Sequence, residues 1–127
     1  MVESFWAVPD TTSFRTPLSI LREQATALTE QTNGALVGNV GIFKDGVGAD
    51  LVVSLSVEVP ALDDYAYRLL QYRQPVDGYP GRLHLAWEER FFEFRDEEEF
   101  VSAIKDALSS DKVRQIVGSL LSQATAA

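Results

Sequence analysis

From Leu51 to Val59, every second residue (Leu51, Val53, Leu55, Val57 and Val59) is apolar, while Asp50, Ser54, Ser56 and Glu58 fall on the opposite phase. Period two with one apolar side specifies a half-buried strand. Such a strand requires neighbouring strands and a covering layer, so the rest of the chain is read for them. Immediately upstream, Gly34 to Phe43 is a second β-patterned run, in which Leu36, Val40 and Ile42 alternate with Val37, Asn39, Gly41 and Phe43. The link Lys44-Asp45-Gly46-Val47 contains Asp-Gly, the pair that tolerates the positive φ angles of a type I′ turn, which predicts a tight hairpin between Phe43 and Gly48. Gly38 and Gly41 inside the first arm predict a bulge or the close approach of another backbone.

The segments on either side supply the remaining elements. Residues Met1 to Arg15 show no period, yet Phe5, Trp6, Val8 and Phe14 are too apolar for a free tail, so an arm docked on the body or on a second subunit is expected. Thr16-Pro17 starts a helix as cap and first-turn proline; Leu18, Leu21, Ala25, Leu28 and Thr32 form its stripe, and Asn33-Gly34 closes it in the left-handed conformation. Tyr65 to Gln74 predicts a third strand whose phase changes at Leu69-Leu70, so Tyr65, Tyr67 and Leu69 share a face with Leu70 and Tyr72 only if a bulge lies between the leucines. Pro75 to Gly81 is dense in turn residues and predicts a loop. Leu83, Leu85 and Trp87 then alternate with Arg82, His84 and Ala86, and Phe92 and Phe94 with Phe91, Glu93 and Arg95, giving strands four and five.

At Asp96 the period switches. Asp96 with Glu99 three residues on predicts a capping box, and Phe100, Ile104, Ala107 and Leu108 the stripe of the helix it opens. Ser109-Ser110-Asp111 restarts a last helix with Val113, Ile116, Val117, Leu120 and Leu121 on one side, and residues 122–127 are expected to fray. The whole predicts one α+β domain over residues 1–127: an N-terminal helix, a five-stranded antiparallel meander, and two C-terminal helices. The helices cover one sheet face and bury Leu51, Val53, Leu55, Leu83, Leu85, Trp87, Phe92 and Phe94.

Composition limits the function classes. With 127 residues the chain can bury roughly two-thirds of its unfolded surface, and so needs no covalent staples. Cysteine is absent, which removes thiol chemistry and disulfides and suits a reducing compartment. Met1-Val-Glu-Ser-Phe-Trp has no basic segment leading into an apolar run, and no stretch nears the roughly 20 apolar residues of a membrane span. A soluble cytoplasmic protein is expected. A net charge of −8 argues against nucleic-acid binding, which depends on clustered Lys and Arg, and suits a basic partner instead. Between Ala61 and Arg95, however, charges nearly balance, and all five basic residues there are arginines.

Catalytic constellations are scarce. His84 is the only histidine, so any triad or His-based metal site in one chain must use it, and its phase puts it on the outward side of strand four. Asp63-Asp64 and Glu88-Glu89 are adjacent pairs, whose members point to opposite faces in a strand, and Glu97-Glu98-Glu99 is explained by a helix start. The glycines near Gly38 to Gly48 follow a helix and precede strands, the reverse of a nucleotide loop. No metal or cofactor is expected, and enzymatic activity is not.

The outward sheet face is the better candidate. It displays Ser54, Ser56, Arg68, Gln71, Arg73, Arg82, His84, Phe91, Glu93 and Arg95, of which Arg68, Arg73, Arg82, His84, Phe91 and Arg95 are the candidate binding residues. Guanidinium forks suit a carboxylate, a phosphate or a protein partner, while a solvated face with Arg–Glu cross-strand pairs of about 0.2–1 kcal/mol each is the plain alternative. In size, acidity and mixture of helix and strand, the chain resembles small bacterial immunity proteins and secretion chaperones, a likeness of composition that carries no signature residue. The expectation is a non-enzymatic adaptor, immunity-type inhibitor or chaperone, homodimeric through its surplus of apolar surface. An anionic-ligand binder or enzyme using the arginine face with His84 is the alternative.

Overall fold

Helix α1 (Pro17–Gln31) begins where Thr16 and Ser19 bond to each other's backbone: Ser19 N–H donates to Thr16 Oγ1 at 3.3 Å, and Thr16 N–H to Ser19 Oγ at 3.0 Å. It ends through Asn33 (φ 51°) and Gly34 (φ 81°), with Gly34 N–H donating to the Thr29 carbonyl. The computed structural model, which describes residues 2–46 and 50–127, then continues through five strands and two further helices. The strands are β1 (Val37–Lys44), β2 (Leu51–Val59), β3 (Tyr65–Gln74), β4 (Gly81–Leu85) and β5 (Phe92–Phe94), antiparallel in the order β1-β2-β3-β4-β5. Helices α2 (Glu97–Leu108) and α3 (Asp111–Ala126) close the chain, giving the expected α+β architecture.

Register follows burial. Val40 lies opposite Leu55 and Ile42 opposite Val53, so the apolar sides of β1 and β2 coincide; Val40 packs against the core, and Ile42, towards the end of β1, stays 44% exposed. This register pairs Lys44 with Leu51, and Asp45 N–H donates to the Asp50 carbonyl at 3.1 Å. The link therefore runs from Asp45 to Asp50 and is longer than the two-residue type I′ turn that Asp45-Gly46 predicts. Residues 47–49 of that expected turn and second arm lie outside the described residues. Matching Val40 with Leu55 and Ile42 with Val53 outweighs the local preference of an Asp-Gly pair.

In β3 the register shifts between Leu55↔Leu70 and Ser56↔Arg68, leaving Leu69 as the extra residue of a β-bulge. Both leucines are consequently buried, as the sequence requires. Gly38 faces α1 so closely that a Cβ there would run into the backbone of Ala25, and its N–H donates to Thr29 Oγ1 at 2.9 Å. The close approach expected of Gly38 is thus real. Gly41, on the opposite face, has no backbone near its side-chain position; a Cβ would meet Ser54 Oγ at 2.8 Å.

The core lies between one sheet face and the three helices. Val53, Leu55, Leu83 and Leu85 are buried in it, and Phe92, Phe94 and Trp87 pack against its edge. Trp87 belongs to the turn after β4, where Glu88 N–H donates to the Leu85 carbonyl, and not to the strand. Phe100 of α2 is the central ring, edge-on to Tyr72 at 4.7 Å and to Tyr79 and Phe94 at 6.0 and 6.2 Å. Asp96 caps α2 by accepting from Glu99 N–H at 2.9 Å, but Glu99 returns its bond to Arg95 N–H at 2.8 Å, one residue before the partner a capping box prescribes. Arg95 also donates through its guanidinium to the same carboxylate. These bonds, the backbone one foremost, hold the Glu99 carboxyl below the usual range.

Two expectations about the termini change. The segment 122–127 does not fray: α3 runs to Ala126, because Leu120 is buried and Leu121 and Ala124 pack on the core, and Thr125 Oγ1 donates to the Leu121 carbonyl. The arm is not docked on the body. Residues 2–15 are exposed throughout, interrupted only by a 3-10 turn at Thr11–Ser13 capped by Asp10. Among the described residues no helix is long and apolar enough to cross a membrane.

Candidate functional site

Because all three helices pack on one side, the other sheet face is uncovered. Strand register sets its rows. Phe43, Val52, Arg73, Arg82 and Glu93 run across β1 to β5, and Gly41, Ser54, Gln71 and His84 run alongside. The bulge at Leu69 brings this face back into phase, since without it Arg68 and Gln71 would stand on opposite sides.

A concavity of about 460 Å³ opens in this face, lined by Asp50, Val52, Gln71, Arg73, Arg82, His84 and Phe91. Four of the six candidate residues, Arg73, Arg82, His84 and Phe91, therefore share one site. Arg68, opposite Ser56, stands on the same face beyond the bulge and does not line the concavity. Arg95 follows β5 and is engaged with Glu99 at the start of α2, away from the other five.

The site is electrostatically matched within the chain. Arg73 is paired with Asp45 from the hairpin, and Arg82 Nε lies 3.8 Å from a Glu93 carboxylate oxygen, directly across β4 and β5. Arg82 and Glu93 are both more than half exposed, so the pair is a weak one that water or a ligand readily replaces. The apolar component is the more unusual. Phe43 and Phe91 are 51% and 58% exposed, while Val52, opposite Phe43 and Arg73 on the neighbouring strands, is 4% exposed. The His84 ring lies 5.3 Å from that of Phe91, tilted by 43°.

Sequence reasoning missed Val52, Phe43 and Asp50 as parts of this surface. A signal was present: Val52 interrupts the polar phase of its strand, and Phe43 does the same at the end of β1. Which cross-strand partner each acquires is fixed only by the register.

The carboxylate clusters do not assemble. Asp63 and Asp64 are both left-handed, at φ 56° and 57°, in the link between β2 and β3. Among the described residues, no three His, Cys, Asp or Glu side chains gather closely enough to hold a metal ion. A comparison with protein-family models gives no match to this chain, and neither curated proteins nor solved structures match it.

Proposed function

We propose that this chain is a non-enzymatic interaction module of the adaptor, inhibitor or chaperone kind, which binds a protein partner through the uncovered sheet face. The observation that carries this reading is a pair of half-exposed phenylalanines on one sheet face: Phe91, lining the concavity with Val52, Arg73, Arg82 and His84, and Phe43, opposite Val52 on β1. Aromatic residues and arginine are the types enriched where protein surfaces meet. The face is rigid, being built on five paired strands, so a partner orders little beyond the side chains themselves. Asp45 keeps the Arg73 guanidinium hydrogen-bonded in the free protein, Glu93 only lies near that of Arg82, and a partner carboxylate is well placed to exchange with Glu93.

Phe43→Ser with Phe91→Ser tests this directly, because both side chains are half-exposed in the free chain, and unchanged circular dichroism verifies that the variant folds. The wild-type chain is expected to recover a protein partner from the lysate of its native host, and the double variant to lose it by at least roughly thirtyfold in affinity. Equal recovery by both proteins would sink the assignment to this face.

A second reading has its own support. Arg73, Arg82 and His84 line one concavity with Gln71, a donor set suited to a small carboxylate or phosphate. Native mass spectrometry of gently purified protein separates the two: a retained small anion, lost in Arg82→Ala, favours the ligand site.

A further inference from the structure

The side of the molecule away from the sheet face carries an apolar groove of about 560 Å³ where α1, α2 and α3 diverge. Leu55 and Leu69 form its floor, and Ile20, Leu28, Ile104 and Val117 its walls. Among the described residues, the charged side chains lining it are Lys105 and Arg15, and Arg15 is ion-paired with Glu23 of α1 at 2.8 Å. On a chain of net charge −8, no carboxylate lines the groove among the described residues, and with Arg15 held by Glu23 the cation open to a partner there is Lys105.

The complementary chemistry is found in the chain's own N-terminal arm. Residues 2–14 carry Glu3 and Asp10 and no lysine or arginine. Phe5 and Trp6 are 91% and 86% exposed, and Val2, Val8 and Phe14 are exposed with them. A run of aromatic and aliphatic side chains left in water is an interaction element lacking its surface. The groove offers such an element apolar walls whose deepest side chains belong to the core.

We propose that the groove receives the N-terminal arm of a second copy of this chain, so that two copies exchange arms in a symmetric dimer. Apart from the turn at Thr11–Ser13 the arm has no helix or strand, so its 13 described residues up to Phe14 can span at most about 40 Å, enough to cross to a neighbouring molecule. Its two leading aromatics alone bury on the order of 300–500 Å² when covered. The aromatics of two arms together remove roughly 600–1,000 Å² from solvent, to which the remaining arm residues and the grooves add, toward the roughly 1,200–2,000 Å² of a standard stable interface. Glu3 and Asp10 then approach the Lys105 side of the groove, and the exchange is isologous, with the same two patches used on each copy. The arm leaves the body at Arg15, itself a lining residue, so each groove sits beside the point from which its own arm departs.

Sedimentation equilibrium on the full chain tests the proposal. The wild type is expected at twice the 14.1 kDa chain mass at micromolar concentration. Phe5→Ser with Trp6→Ser is expected to raise the dimer dissociation constant by at least roughly thirtyfold. These side chains are exposed in the single chain, so their loss does not compromise folding, and unchanged circular dichroism verifies it. Lys105→Glu, also at an exposed position, is expected to weaken the dimer several-fold.

Trp6 fluorescence, isolated by difference against Trp6→Phe, gives the second readout: shielded from acrylamide in the dimer and accessible after dilution. A monomer with shielded Trp6 would mean that the arm folds onto its own body, and a monomer with accessible Trp6 that it docks nowhere. A dimer with accessible Trp6, or one unaffected by Lys105→Glu, would place the interface elsewhere. Each of these results overturns the arm exchange.

Discussion

Gly38→Ala is the substitution whose outcome the structure constrains most tightly. In a strand interior, alanine is ordinarily better than glycine by about 0.5–1 kcal/mol, because glycine loses more backbone freedom on folding. Here the sign reverses. The added methyl would occupy the space of the Ala25 main chain, so α1 must lift away from β1, and overpacking of this kind costs about 1–3 kcal/mol. Lifting α1 also breaks the bond from Gly38 N–H to Thr29 Oγ1, worth about 1 kcal/mol. The net expectation is a loss of about 1–3 kcal/mol, which for a domain of this size lowers Tm by about 4–12 °C. Urea denaturation followed by circular dichroism measures it, with Gly41→Ala as the control. That methyl meets only Ser54 Oγ, a terminal atom free to rotate away, so its cost stays below about 1 kcal/mol. Should Gly38→Ala match the wild type within about 2 °C, or should Gly41→Ala prove the worse, the packing of α1 on β1 described above is wrong.

Other expectations follow from the buried polar groups and caps. Tyr79 buries a hydroxyl with no hydrogen-bond partner among the described residues, so Tyr79→Phe is expected to leave stability unchanged or raise it by up to about 1 kcal/mol in urea titrations. Tyr72 donates to the Gly78 carbonyl at 3.2 Å, and Tyr72→Phe is expected to cost about 1 kcal/mol in the same assay. Burial pushes the Tyr72 phenol far above its ordinary range, and burial with Glu97 nearby pushes that of Tyr79 up to about 12. Both hold their protons in the folded chain at pH values where the unfolded chain releases them. Stability is therefore complete below about pH 10 and declines as pH rises through about 12, and a decline no shallower in Tyr72→Phe with Tyr79→Phe would refute this. Asp96→Ala removes the cap of α2 and is expected to cost about 1 kcal/mol by thermal denaturation, whereas Asp96→Asn, which keeps the accepting oxygen, costs less than half of that.

Much of this architecture is legible in the residues because the governing interactions are local. Thr16-Pro17 and Asn33-Gly34 bound α1 through their own caps, and the phase change at Leu69-Leu70 admits only a bulge if both leucines are to be buried. What the sequence hides depends on distant partners. The Asp45-Gly46 signal is overridden because β1 and β2 gain more by matching Val40 with Leu55 and Ile42 with Val53. Glu99 bonds back to Arg95 instead of Asp96, a choice made by the path of the chain as it leaves β5. At the candidate face, the alternation that places Arg73, Arg82 and His84 outward is readable, and so is the aromatic character of Phe91. The burial of Val52 among them, the pairing of Arg73 with Asp45 and the departure of Arg95 to α2 come only with register and turn geometry. The arm has no periodicity to read, so its apolar content alone suggested a contact that its own body does not provide.

The bulge in β3 also bears on how such a chain tolerates change in length. Removing Leu69 would join Arg68 to Leu70 and restore uninterrupted alternation, with Tyr67, Leu70 and Tyr72 inward and Arg68 and Gln71 outward, as they already stand. A one-codon loss at this position therefore conserves the facing of every other residue in the strand, whereas the same loss two residues to either side would invert part of it. Leu69 has the character of an insertion that the sheet has absorbed: it adds one aliphatic side chain to the floor of the helix-side groove without disturbing the arginines on the far side. The two surfaces of this small sheet can in this way diverge independently, one by substitution and the other by a single residue gained or lost.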